Sequence, residues 1–155
     1  MCSDFGVTEA STRTSETKLE FPYSRTLGPV MGAFFAGLRE GTLLGIRGVD
    51  GRVLVPPMEY DPQTGESLGT EMVPVGPGGT VESWAWVEDP SPKHPLRTPF
   101  AFALVKPDGA DTAMVSAVDA GGIDAMSTGM RVTARFSREP KGLITDLEAW
   151  EPEKQ

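Results

Sequence analysis

Cysteine and histidine are almost missing from this chain of 155 residues, which contains one of each. Cys2 lies in a polar N-terminal segment and His94 in a proline-rich stretch. A structural zinc site takes four ligands, most of them thiolates or imidazoles, so these two residues cannot build one within a single chain. One cysteine also excludes a disulfide within the chain. The same scarcity leaves His94 as the only base for a Ser-His-Asp set, and no such set is evident.

The chain also lacks an excess of positive charge and a long apolar run. It has 22 acidic and 14 basic residues and a net charge of -8. Because non-specific affinity for nucleic acid comes mainly from Lys and Arg beside phosphates, this balance counts against nucleic-acid binding. No stretch of about 18 apolar residues is present, so no transmembrane span is expected. The N-terminus carries no basic-then-apolar signal sequence, and a cytoplasmic location is the default expectation.

Glycine and proline, by contrast, are abundant, with 18 and 14 residues. This punctuation favours short strands and turns over long helices. The hydrophobic fraction of 39% is enough for a modest core, so we expect one domain with a small appendage. The predicted divisions are a disordered tail over 1–18, a helix and hairpin over 19–75, a β-barrel over 76–150 and a frayed end over 151–155.

Residues 28–40, with the sequence GPVMGAFFAGLRE, are the strongest helix candidate. Pro29 suits the first helical turn, and Gly41 is a good stop signal. Apolar residues recur at three- and four-residue spacing along this stretch. Two interpretations stay open: the apolar stripe packs on the sheet of this chain, or it contacts a partner protein.

Five short strands are predicted after residue 79. They cover 80–88, 100–106, 112–118, 130–136 and 143–150, and the longest connection that is not a hairpin joins the third to the fourth. This arrangement favours a small Greek-key barrel of the OB type, with a five-stranded sandwich fragment as the structural alternative. Trp84 and Trp86 lie on the first of these strands, where packing in the core or at its rim is the favoured interpretation.

The stretch Arg47–Thr64, RGVDGRVLVPPMEYDPQT, has two turns on either side of a short apolar strand and the pair Pro56-Pro57. A zinc ribbon has the same plan, with a Cys-x-x-Cys pair on each turn. The four corresponding positions are Arg47, Asp50, Asp61 and Thr64. None of them is a sulfur or imidazole ligand, and two carboxylates are too few for a calcium site. The hairpin is therefore predicted to be a degenerate, metal-free ribbon.

The order of these pieces resembles a known family. The chain reads FFAGLREG, then the hairpin with its Pro-Pro pair, then GGTVESWAWV, TPFAFALVKPDGADTAMVSAV and GMRVTARF. This order is similar to the bacterial and archaeal family in which a rubredoxin-like zinc ribbon precedes an acyl-CoA-associated OB-fold domain. The resemblance covers residues 29–150, and it departs from the family at the four ligand positions.

The resemblance implies a non-catalytic accessory subunit that binds a thiolase-like enzyme in a hetero-oligomer. The partner would be a lipid-transfer-type thiolase or an aldolase of acyl-CoA, lipid or steroid side-chain metabolism, and this subunit would help to form its CoA channel. The partner holds the catalytic residues, and no cofactor, metal or nucleic acid is expected on this chain. The candidate contacts with the partner or CoA are Phe34, Phe35, Leu38, Pro56, Pro57, Trp84, Arg97 and Phe100.

Two alternatives to an accessory subunit stay open. The aromatic residues on the first barrel strand are compatible with an independent OB-fold protein that stacks nucleic-acid bases. The chain could also be a stand-alone enzyme acting on a CoA ester.

Overall fold

The computed structural model describes residues 14–24 and 26–154. The first 13 residues of the predicted tail, including Cys2, lie outside this range, while residues 14–18 are exposed and have no regular secondary structure. Within the described part of the chain, no helix is long and apolar enough to cross a membrane.

The one α-helix, α1, spans Gly28–Arg39 among the described residues, close to the predicted range. Pro29 lies in its first turn, and Gly41 follows its end with φ of +72°, a conformation that glycine adopts at little cost. Val30, Phe34 and Leu38 repeat every four residues and are buried, so they form the inward face of the helix.

A small antiparallel sheet follows the helix and corresponds to the predicted hairpin. It is formed by β1 (Leu43–Arg47), β2 (Val53–Leu54) and β3 (Met72–Val75), in the order β2-β1-β3. We refer to residues 43–75 as the ribbon. A turn at 48–52 joins β1 to β2, and a second turn at 61–65 lies in the long connection from β2 to β3.

Five further strands close into a barrel, which confirms the predicted mainly β fold with an OB-like barrel. They are β4 (Gly78–Val87), β5 (Phe100–Pro107), β6 (Met114–Val118), β7 (Arg131–Phe136) and β8 (Leu147–Pro152), and their order around the barrel is β4-β5-β6-β8-β7. All pairs are antiparallel except β6 and β8, which are parallel and meet at one bridge, Val118 to Trp150. The short 3-10 helix Ile123–Ala125 lies in the predicted connection from β6 to β7.

The last barrel strand differs from its predicted range of 143–150. Ile144–Asp146 forms a 3-10 helix, so β8 begins only at Leu147, and the strand continues to Pro152 beyond the predicted start of the frayed end. Glu151, which was expected in the frayed end, pairs with Thr133 and so belongs to the barrel. The apolar pair Leu143-Ile144 resembles a strand start in sequence, but both side chains are exposed.

An irregularity in the β4–β5 pairing explains why both faces of β4 carry bulky residues. The register shifts between Val81 and Ser83, which indicates a β-bulge at Glu82. The bulge changes the phase of inward and outward residues. Val81 is buried before it, and Trp84 and Trp86 are partly buried against the core after it.

The hydrophobic core is continuous across the helix, the ribbon and the barrel. One cluster of contacting buried residues includes Phe34 of the helix, Val53 and Val75 of the ribbon, and Val81 and Trp150 of the barrel. The predicted boundary at residues 75 and 76 therefore runs through a shared core.

Two polar side chains of the β5–β6 turn join the ribbon to the barrel. The Asp111 carboxylate accepts a hydrogen bond from the Val53 N–H at 2.8 Å, and the Asp111 N–H donates to the Val53 carbonyl at 2.8 Å. The Thr112 hydroxyl accepts from the Val55 N–H at 2.7 Å and donates to its carbonyl at 3.0 Å. These residues belong to the run DGADT, which thus fixes the position of the ribbon against the barrel.

Thr112→Val should loosen this junction, because it preserves shape while removing both hydrogen bonds of the hydroxyl. A buried N–H left without a partner costs about 1–3 kcal/mol. We expect a loss of that size in urea unfolding, with faster hydrogen exchange at the Val55 amide. Thr133→Val on β7 is the matched control. Equal effects of the two variants would contradict the assigned role of Thr112.

Candidate functional site: an apolar groove on the barrel

A groove of 540 Å³ lies on the barrel where β6 and β8 diverge. The two strands meet only at Val118 and Trp150, so Met114–Ser116 and Leu147–Glu148 form the two sides of an open seam. Residues 95–97 of the loop 88–99 and residues 144–145 of the loop 137–146 complete its lining. We refer to this feature as the seam groove.

Apolar side chains dominate the seam groove. Val115 of β6 is 66% exposed, and Ile144 of the facing loop is 50% exposed. Two charged groups, Arg97 and Glu148, lie in its lining. The Ser116 hydroxyl is buried there and has no hydrogen-bond partner in the described part of the chain. Such a surface suits contact with another apolar surface that supplies a few polar groups.

The loop 88–99 is held in place by His94. The His94 ring meets Phe100 and Phe102 edge-on, with centroids 5.8 and 5.9 Å away. Its Nδ1 accepts a hydrogen bond from the Ser91 N–H at 3.1 Å. Arg97 follows in the same loop and donates to the Ser91 carbonyl at 3.4 Å. The only histidine of the chain thus anchors a wall of the seam groove.

The loop 137–146 is shaped by Asp146, whose side chain is almost fully buried. Its carboxylate accepts hydrogen bonds from the backbone N–H groups of Lys141, Gly142 and Leu143 at 2.6–3.3 Å. Burial of the carboxyl raises its pKa, but the three N–H donors favour the ionised form more strongly. The pKa of Asp146 therefore lies below its ordinary value of 3.8.

This pKa shift predicts how stability depends on pH. Because the folded-state pKa is lowered, the carboxylate stabilises the fold above pH 4, and that contribution is lost as the pH falls through the folded pKa. Asp146→Asn should therefore be less stable than the native chain at pH 7, and the difference should shrink below about pH 4. Urea unfolding from pH 7 to pH 3 measures it, with the exposed Asp124→Asn as control. A difference that stays constant over this range would contradict the prediction.

The structure separates the predicted contact residues into two groups. Phe34, Leu38, Pro57 and Phe100 are buried within this chain and act as core residues. The other four have surface that a partner can reach. Pro56 and Arg97 are exposed, and Phe35 and Trp84 are partly buried.

Arg97 alone among the predicted contact residues lines the seam groove. Phe35 instead borders a shallow depression between α1 and the loop 137–146. Pro56 lies in the ribbon, and Trp84 packs against the barrel core. The predicted residues therefore do not converge on one site.

Val115 and Ile144 were missed by sequence reasoning, although they are the most prominent apolar residues of the seam groove. Val115 gave little signal, because a valine within the predicted strand 112–118 is equally compatible with a core position. Ile144 gave no signal, since its apolar neighbours suggested a buried strand.

The seam groove coincides with the usual binding face of the OB fold. In that fold, the second and third strands and the loops between strands one and two and between four and five form the ligand surface. Here these parts are β5, β6, the loop 88–99 and the loop 137–146. An oligonucleotide requires cations along this face, whereas Arg97 is the one basic residue in the lining, which also contains the acidic Glu148.

Comparisons with known proteins support the OB-type barrel. Residues 72–137 match the family described as "ChsH2, C-terminal OB-fold domain". No significant match is found among curated protein sequences. Two solved structures share the fold, each covering most of this chain.

The first structure is a DUF35-family protein of unknown function from Sulfolobus solfataricus. It is 16% identical, has a TM-score of 0.60, and the alignment covers 81% of this chain and 87% of that one. The second is described as the "Ltp2-ChsH2(DUF35) aldolase". It is 22% identical, has a TM-score of 0.59, and the alignment covers 77% and 91% of the two chains.

Proposed function

We infer that residues 72–137 are an OB-fold domain of the ChsH2 C-terminal type, and we propose that the chain is a partner subunit of a thiolase-like enzyme. One observation carries the proposal. The binding face of the barrel is an exposed apolar groove rather than a basic one, which favours a protein surface as its occupant. The likeness to the Ltp2-ChsH2 aldolase supports a thiolase-like enzyme as that protein.

The proposed contact places Val115 and Ile144 at its centre and Arg97 and Glu148 at its edge. Apolar side chains in the middle of an interface contribute most when they lose contact with water on binding, while charges at the rim contribute specificity. Glu148 also lies 3.3 Å from the Arg135 guanidinium, which places an ion pair at this edge. Phe35 and Pro56 extend the proposed contact beyond the seam groove.

In this proposal the partner performs the chemistry. The partner is a lipid-transfer-type thiolase or an aldolase acting on acyl-CoA in lipid or steroid side-chain metabolism, and this chain helps to shape its CoA channel. The role of His94 as a loop anchor supports a non-catalytic subunit, because its Nδ1 accepts a hydrogen bond from a backbone N–H and its ring packs against two phenylalanines.

Affinity purification of the tagged chain from its host, followed by mass spectrometry, tests the proposal. A thiolase-like enzyme should be the main protein recovered, and the chain alone should turn over no CoA ester. Recovery of single-stranded nucleic acid instead would favour an independent OB-fold binder. CoA-ester turnover by the isolated chain would favour a stand-alone enzyme.

A further inference from the structure

The first turn of the ribbon is tied by two side chains that occupy ligand positions of a zinc ribbon. Arg47 donates from its guanidinium to the Gly51 carbonyl at 3.1 Å. The Asp50 carboxylate accepts from the Arg52 N–H at 3.1 Å and also binds the Arg52 guanidinium. Both ligand-equivalent residues therefore bind backbone groups of their own turn.

The second turn is tied in the same way. Asp61 is only 2% exposed, and its Oδ1 accepts from the N–H groups of Gln63 and Thr64 at 2.8 and 3.1 Å. The Thr64 hydroxyl accepts from the Glu66 N–H at 3.2 Å. All four ligand-equivalent positions thus serve as hydrogen-bonding groups that close the two turns.

The two turns approach each other at Gly48. A Cβ atom placed on this glycine would lie 3.1 Å from Asp50 Oδ1 and 3.4 Å from Asp61 Oδ2. Asp61 Oδ2 is buried and has no hydrogen-bond partner within the described residues. One carboxylate from each turn thus lies beside Gly48, and Arg52 supplies the nearby positive charge. The pKa of the Arg52 guanidinium is raised, first by its hydrogen bond to Asp50 and then by the charges of Asp50, Asp61 and Asp111.

The metal of a zinc ribbon does not fit this donor set. Zinc in structural sites takes four ligands, typically thiolates and imidazoles, whereas these four positions offer a guanidinium, two carboxylates and a hydroxyl. Within the described residues, no group of three or more Cys, His, Asp or Glu side chains is arranged to hold a metal ion. The positive charge that zinc would bring is supplied here by Arg52 instead.

We propose that Asp50, Arg52 and Asp61 do in this ribbon what the zinc ion does in a metal-bound ribbon, and hold the two turns together. Each carboxylate closes its own turn by accepting backbone N–H groups. The Arg52 guanidinium is bonded to Asp50 and offsets the charge of both carboxylates that flank Gly48. The ribbon then folds and stays folded without metal. This proposal is independent of the proposed partner, because it concerns the stability of the chain alone.

Thermal unfolding of Arg52 variants, together with elemental analysis of the native chain, tests this proposal. The native chain should contain no stoichiometric zinc, and neither a chelator nor added zinc should change its unfolding midpoint. Arg52→Met should lower that midpoint by about 3 °C or more, and Arg52→Lys should lower it less, because lysine keeps the charge. Arg138→Met, at an exposed arginine of the barrel, is the matched control. One tightly held zinc per native chain, or equal midpoints for Arg52→Met and Arg138→Met, would overturn the proposal.

A four-cysteine variant tests whether the two turns have the geometry of zinc knuckles. The variant R47C/D50C/D61C/T64C should bind one zinc per chain, and zinc should raise its unfolding midpoint. Adding Arg52→Met to this variant with zinc bound should then have little effect, because the metal replaces the guanidinium. A folded four-cysteine variant that binds no zinc would overturn the assignment of these positions. If this variant does not fold, the measurements on the native chain and the Arg52 variants still decide the proposal.

Discussion

Val115→Asp is expected to reduce the affinity for the partner enzyme by about 100-fold, or about 3 kcal/mol. Val115 is the most exposed apolar residue of the seam groove, at 66%, and lies on its β6 side. A carboxylate at the centre of an apolar contact must lose its water without gaining a partner, which opposes binding. The measurement is the dissociation constant of the purified complex, taken from titration calorimetry with each variant.

Ile123→Asp is the matched control for this prediction. Ile123 is also an exposed apolar residue, at 48%, but it lies in the connection from β6 to β7 and outside the seam groove. Val115→Thr keeps the shape of the side chain and should have a smaller effect than Val115→Asp. Equal affinities of Val115→Asp and Ile123→Asp, with both chains folded, would show that the partner binds elsewhere.

Trp150→Ala is expected to cost about 3–5 kcal/mol of unfolding free energy. Trp150 is fully buried, forms the only bridge between β6 and β8 in the described barrel, and accepts the Asp119 N–H at its carbonyl at 2.8 Å. This loss is a large fraction of the unfolding free energy of a typical domain, which is about 5–15 kcal/mol. Because this residue closes the barrel beside the seam groove, partner binding should fall as well.

Urea unfolding of two further variants tests whether the loss comes from the buried packing of the Trp150 ring, and not from its indole N–H or from the loss of any tryptophan. Trp150→Phe should cost much less than Trp150→Ala, since it keeps an aromatic ring and the indole N–H has no partner within the described residues. Trp84→Ala should also cost less, because Trp84 is only partly buried. Equal losses for Trp150→Ala and Trp84→Ala would contradict the central position assigned to Trp150.

Most of the barrel could be predicted from sequence, because its strands are short alternating or apolar runs between glycine- and proline-rich turns. Two features were not predicted, the inward phase of β4 and the start of β8, and each has a physical cause. The bulge at Glu82 changes the inward phase of β4 without changing its composition. Leu143 and Ile144 have strand-like side chains, but the Asp146 carboxylate accepts hydrogen bonds from the N–H groups of residues 141–143 and favours a tight turn there.

The candidate site was much less predictable than the fold. The seam groove joins residues that lie about 30 positions apart in sequence, such as Val115 and Ile144, and only the closed barrel brings them together. Sequence spacing identified the apolar stripe of α1 but not the surface it covers. In the structure, Phe34 and Leu38 lie in the core shared with the ribbon, and Phe35 is partly exposed.

For the ribbon, the spacing of the two turns predicts four ligand-equivalent positions, and their polar character predicts that zinc is not held there. The hydrogen bonds of Asp50 and Asp61 to their own turns follow the known preference of aspartate for such positions. The proximity of the two carboxylates at Gly48 depends on how the turns pack, which spacing does not reveal.

Native mass spectrometry of the tagged chain, purified gently from its host, tests the central claim most directly. We expect a hetero-oligomer whose mass is the sum of whole numbers of the tagged chain, which weighs 16.6 kDa plus its tag, and of a thiolase-like subunit. Val115→Asp should shift the population towards the free chain. A tagged chain found only as a monomer, or only as multiples of itself, would contradict the proposed partnership.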